Sequence, residues 1–148
     1  MGTHAAVSWE QTAVATAPVP AARLWAVLLD GRRWARWNPG IEWMLVEGEL
    51  APGSVVTTKP KGAPQTALRI EAVEPPHRLA LLLSIGPLAA LRLRWELSER
   101  DGATEIAQTV ATSGPLAGPL LRRAALRIAG GMAANLERLA ALARAPET

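Results

Sequence analysis

The sequence predicts an α+β fold, and three observations carry that prediction. Elements follow one another as strand, helix, helical turn, a run of strands alone, and one long C-terminal helix. Ala89 to Glu99 sets Leu91, Leu93, Trp95 and Leu97 against Arg92, Arg94, Glu96 and Ser98, a period of two that gives one buried and one wet face. From Pro119 to Arg144 the period changes: Leu121, Ala125, Ile128, Met132, Leu136, Leu139 and Ala143 step by three or four. Helices set apart from a run of strands belong to the α+β class. The 148 residues suit a single domain, 1–148, with 1–6 and 145–148 as flexible ends.

Val7 to Thr16 is rich in Val and Thr and reads as the first strand. Val19-Pro20 opens a helix, since proline at a helix start has no hydrogen bond to lose. Leu24, Trp25 and Leu28 share its buried stripe, and Asp30-Gly31 ends it through a glycine that tolerates the left-handed region. Trp34 and Trp37, three apart, lie on one face of a helical turn. Asn38-Pro39-Gly40 then forces the chain to turn. Strands are expected over Ile41–Glu47, Ser54–Lys59, Thr66–Glu74, Arg78–Ile85, Ala89–Glu99 and Thr104–Thr112. Pro52-Gly53, Lys59-Pro60-Lys61-Gly62, Pro75-Pro76-His77 and Arg100-Asp101-Gly102 punctuate them. Ser113-Gly114-Pro115 ends the sheet. Within the final helix, Gly130-Gly131 signals either close packing against a strand or a kink that opens a cavity.

Composition excludes several classes of function. Six Trp stand in a chain with no Phe and no Tyr, so indoles supply all the aromatic bulk. With no Cys there is no disulfide, thiol nucleophile or zinc–thiolate site. The net charge is +3, and the arginines are scattered among Asp and Glu, so nucleic acid is not an expected partner. Met1 to Ser8 lacks the pattern of a signal peptide. Leu79 to Leu91 is interrupted by Ser84, Gly86 and Pro87 and is too short to span a bilayer. A cytoplasmic protein without stable membrane insertion, monomeric or homodimeric, is the expectation.

The helix before Asp30, the Trp34–Gly40 turn, Leu50-Ala51-Pro52-Gly53, Glu74-Pro75-Pro76-His77-Arg78-Leu79, Asp101-Gly102-Ala103-Thr104, Ser113-Gly114-Pro115-Leu116 and the long last helix occur in a particular order. In this ordered set the chain resembles the START-like (SRPBCC) superfamily, closest to its bacterial polyketide cyclase/dehydrase and lipid-transport branch. The resemblance implies a helix-grip fold. A curved antiparallel sheet wraps the C-terminal helix, two short helices close one end, and a cavity between sheet and helix takes a hydrophobic or amphipathic molecule. Members bind lipids, sterols, hormones or polyketides, and some catalyse cyclisation or dehydration.

Catalytic groups are scarce. His4 lies in the terminal segment and His77 in an edge turn. Ser8, Ser54, Ser84, Ser98 and Ser113 have no activating neighbour pattern, and no spacing suits a metal or a phosphate loop. No catalytic residue, metal ligand or cofactor is therefore assigned. Polar strand residues that could face a cavity are Thr58, Thr66, Arg69, Ser84, Arg94, Glu96, Gln108 and Thr109. Alternation puts Arg94 and Glu96 opposite Leu93 and Trp95, on the outer face; were the cavity to open there, Arg94 or Arg69 would anchor a carboxylate. Trp34, Trp37 and Trp43 either wedge the helical turn onto the sheet or line a pocket mouth. Asn38 either orients a ligand or caps its own turn, and Ile128 and Met132 would floor the cavity. The expected ligand-binding set is Trp34, Trp37, Asn38, Trp43, Thr58, Arg69, Ser84, Leu93, Arg94, Trp95, Ile128 and Met132. Three functions stay open: a carrier of a small hydrophobic ligand, a cyclase or dehydratase, and a protein-interaction module.

Overall fold

The computed structural model describes residues 7–145. The reading of residues 1–6 and 146–148 as flexible ends, and of His4 among them, lies outside the described residues. Strand β1 covers Val7–Ala17, helix α1 Ala21–Leu28, a 3-10 turn Gly31–Arg33, and the single-turn helix α2 Trp34–Trp37. Six strands follow: β2 Ile41–Glu47, β3 Val55–Pro60, β4 Thr66–Glu74, β5 Arg78–Ile85, β6 Ala89–Arg100 and β7 Ala103–Ser113. Helix α3, Ala117–Arg144, closes the chain without a break. No described helix is long and apolar enough to cross a membrane.

One seven-stranded sheet runs in the order β1-β7-β6-β5-β4-β3-β2, antiparallel at every pairing. The first strand therefore closes against the last, and β2 and β1 are the edges. The register β6–β7 sets Trp95 opposite Gln108, Leu93 opposite Val110 and Leu91 opposite Thr112, all on the inner face. The two-residue Asp101-Gly102 link has both residues at positive φ, 54° and 79°, which suits the right-handed twist of its flanking strands. Between β4 and β5 the Pro75–Pro76 peptide is cis. The register slips between Ile70 and Ala72, and Glu71 falls in that bulge. On the outer face Glu71 takes a paired contact from the Arg92 Nε and Nη2 groups, the latter at 2.9 Å. That hydrogen bond is the main reason the Arg92 guanidinium holds its proton even more tightly than usual.

Helix α3 packs on β1, β7 and β6 through Leu121, Ala125, Met132, Leu136, Leu139, Ala140 and Ala143. Five of the nine buried residues of α3 are alanines, so helix and sheet approach closely. Helix α1 covers the other end of the sheet with Leu24, Trp25 and Leu28. Its first turn is capped from a distance: the Ala21 N–H donates to Glu99 Oε1 at 2.7 Å. The buried Thr104 hydroxyl donates to the Val19 carbonyl at 2.7 Å and fixes the approach to that helix.

Two glycine readings need correction. Gly31 is not in the left-handed region; a Cβ there would lie 3.1 Å from the Met44 carbonyl oxygen, so the residue permits close approach of β2. Asp30 instead caps the 3-10 turn, accepting from the Arg32 N–H at 3.1 Å. Gly130 and Gly131 neither pack tightly on a strand nor interrupt α3. A Cβ at Gly130 would meet nothing within 4 Å, and one at Gly131 only the Asn135 Nδ2 at 3.6 Å. Gly114 is a different case: its φ is 102° and a Cβ would sit 2.6 Å from the Leu88 carbonyl oxygen. Only glycine fits where the last strand passes the β5–β6 turn.

Candidate functional site

The half of the sheet formed by β3, β4 and β5 curves away from α3 and leaves a cavity of about 490 Å³. Its inner wall is Leu68, Leu81, Leu83, Leu91, Leu93 and Trp95 from the strands, closed at one end by Trp34. Each strand residue reaches the wall because successive side chains alternate faces and the cross-strand pairs Leu81–Leu93 and Leu83–Leu91 are in register. Ala124, Ile128, Gly131, Asn135 and Arg138 supply the helical wall. These positions step by three or four, forming a stripe beside the packing stripe of α3. The rim combines the half-buried Asn38 and Asn135 with the exposed Pro39, Gly40, Gly130, Ala134, Arg127 and Arg138.

Two hydrogen bonds tie the rim together. Asn135 Nδ2 donates to Asn38 Oδ1 at 3.2 Å, and Arg138 Nη1 donates to Asn135 Oδ1 at 2.8 Å. The Asn38–Ile41 turn is held by the Ile41 N–H on the Asn38 carbonyl at 3.1 Å. The Asn38 side chain thus latches this turn to α3 across the cavity mouth.

Behind Trp34 lies an aromatic cluster. The Trp34 and Trp37 ring centroids are 4.9 Å apart, Trp34 and Trp95 5.7 Å, and Trp37 and Trp95 6.5 Å, the last pair edge to face at 88°. The Trp34 indole N–H donates to the Leu28 carbonyl at 2.7 Å, which orients its ring. The Trp37 and Trp95 indole nitrogens and the Gln108 Oε1 are buried with no hydrogen-bond partner among the described residues.

Of the expected ligand-binding residues, the structure brings Trp34, Asn38, Thr58, Leu93, Trp95 and Ile128 to the cavity. The other six lie elsewhere. Trp37 is fully buried behind Trp34, where it wedges α2 onto the sheet. Met132, one step round the helix from Ile128, belongs to the packing stripe. Trp43 projects from the outer face of the edge strand β2, 40% exposed. Arg69 and Ser84 are exposed on the outer face, Ser84 in a shallow groove with Arg92, Gly86 and Ser113. Arg94 is also outside, paired with Glu96 at 3.0 Å. Parity settles all three strand residues, because each is offset by one from an inward neighbour.

Thr66 and Gln108, weighed at the sequence level only as polar residues of undecided facing, line the cavity. Asn135, Arg127, Arg138 and the leucines Leu68, Leu81, Leu83 and Leu91 were not anticipated. For Gln108 the missing signal was register with Trp95; for Asn135 it was the helical step from Ile128. Among the described residues, the only ionisable side chains lining the cavity are Arg127 and Arg138, both at its exposed rim. Among the described residues no group of three or more metal-ligating side chains comes together.

Residues 8–144 match the family model described as polyketide cyclase / dehydrase and lipid transport. The chain belongs to this family. It is a START-like protein, and its sheet, long helix and two short helices are the helix-grip arrangement. Solved structures share that fold. One is Ara h 8.0201, with a TM-score of 0.67 at 19% identity over 91% of this chain and 97% of that one. A second is the Zhui aromatase/cyclase from Streptomyces sp. R1128, with a TM-score of 0.69 at 18% identity over 91% and 93%. A third is the protein jhp0584 from Helicobacter pylori, with a TM-score of 0.70 at 16% identity over 97% and 99%. At such identities the likeness speaks to the fold. No curated protein matches the chain. Family and fold together fit a role in hydrophobic ligand binding or polyketide cyclisation.

Proposed function

We propose that this family member binds and carries a small hydrophobic or amphipathic molecule in the cavity between sheet and α3. The observation that carries the reading is a space of about 490 Å³ with a leucine and indole wall and a polar rim. That volume lies in the range of small-molecule sites, roughly 300–1,000 Å³. Removing ligand apolar surface from water supplies about 25 cal/mol per Å². The rim polar groups Asn38, Asn135, Arg127 and Arg138 set orientation, and Thr58 and Thr66 add hydroxyls at the ends of β3 and β4.

The cyclase reading draws on the family description and on the fold shared with the Zhui aromatase/cyclase. Acid–base cyclisation needs a group that changes protonation near neutrality, and the wall supplies Arg, Asn, Gln and Thr instead. A cyclase on this scaffold would act by folding a reactive chain into shape. The carrier is the better supported of the two.

Native mass spectrometry of the freshly purified protein, followed by denaturing extraction, tests the reading. The expected result is a stoichiometric apolar molecule recovered unchanged. Recovery of a mixture of linear and cyclised forms would move the cyclase first. An empty protein that also takes up no fatty acid, sterol or polyphenol would overturn both.

A further inference from the structure

Gln108 is an anomaly within an apolar wall. It is 4% exposed, faces inward from β7, and lines the cavity beside its register partner Trp95, itself 1% exposed. The Gln108 Oε1 and the Trp95 Nε1 are enclosed and find no hydrogen-bond partner among the described residues. A buried amide oxygen without a partner costs stability, whereas a leucine of similar size would carry no such cost. The wall around this pair carries no charge, because both cavity arginines sit at the exposed rim.

Resting on the ligand-binding reading above, we propose that Gln108 and Trp95 form a polar subsite in the deep wall that recognises a neutral hydroxyl group on an otherwise apolar ligand. The chemistry selects that group. The indole only donates, so the ligand atom must accept. The amide oxygen needs a donor, and a hydroxyl is the smallest group that does both. Rotation about the last torsion of Gln108 presents either end of the amide to the cavity. A carboxylate is unsuited to this wall, since it would lose its hydration with no cation to replace it. An amphipathic ligand therefore enters hydroxyl end first and leaves any anionic end at the Arg127–Arg138 rim.

The test compares 2-naphthol with naphthalene, which differ by one hydroxyl, on the wild-type protein and on Gln108→Leu. Affinities are read by calorimetry and folding by thermal melting. The wild type is expected to favour 2-naphthol, and Gln108→Leu to cut the ratio of the two affinities by about tenfold while keeping naphthalene binding and melting no lower. Trp95→Phe, which keeps an aromatic wall and removes the N–H, is expected to lower the same ratio. A ratio unchanged in Gln108→Leu, with naphthalene still bound, overturns the subsite and leaves the carrier reading standing. A wild type that takes up neither compound overturns the subsite, and one that also takes up no fatty acid, sterol or polyphenol overturns the carrier reading with it.

Discussion

The two halves of the sheet meet the same helix on different terms. Under β1, β7 and β6, α3 presents Ala125, Ala129, Met132, Leu136 and Ala143 and packs to contact. Facing the inner sides of β3, β4 and β5, the next stripe of that helix presents Ala124, Ile128, Gly131 and Asn135 across open space. One helix thus serves as core on one face and as cavity wall on the adjoining one. The difference comes from sheet curvature and from small side chains. The glycines at 130 and 131 do not bring helix and sheet together; they leave room.

The largest expected effects lie in the packed half, and they sharpen the contrast. Leu97 and Leu93 sit four apart on the inner face of β6, one in the core and one at the cavity. Leu97→Ala should cost about 3 kcal/mol in urea unfolding, within the usual range for a filled site. Leu93→Ala should cost clearly less, roughly 1–2 kcal/mol, because it only enlarges an existing space. Equal costs would break the distinction between the halves. Gly114→Ala should destabilise by about 1–3 kcal/mol, since the left-handed backbone and the Leu88 carbonyl both oppose a Cβ. Thermal melting reads that loss directly. Gly130→Ala carries the smallest effect and the opposite sign. It should stabilise by roughly 0.5–1 kcal/mol, as a Cβ there meets nothing and helix propensity improves. A destabilised Gly130→Ala would mean that the helix face is packed after all.

The fold was legible because its signals are periodic. The alternation along β6 and the three-and-four steps of α3 are local properties of the chain, and strand boundaries at Pro52-Gly53 and Asp101-Gly102 follow from turn chemistry. The cavity was legible only where parity decided. Leu93 and Trp95 could be placed inward and Arg94 outward from one strand alone. Gln108 needed the register between two strands, which a single sequence does not reveal. Ile128 and Met132 both fall on the apolar face of α3, yet only Ile128 reaches the cavity. Telling them apart requires knowing which part of the sheet stands off. Trp37 and Trp43 lie off the cavity for opposite reasons, one buried behind Trp34 and the other on the outer face of an edge strand. A short aromatic run has no period from which to read a direction.

The proposed function puts the ligand in the space beside Gly131. Titration of 2-naphthol into the wild type and into Gly131→Trp tests it most directly, because the added indole would project over the cavity while its Cβ makes only ordinary contact with Asn135. Saturable uptake by the wild type is expected, with uptake by Gly131→Trp at least about tenfold weaker and the melting temperature kept. Equal uptake by the two proteins would contradict it.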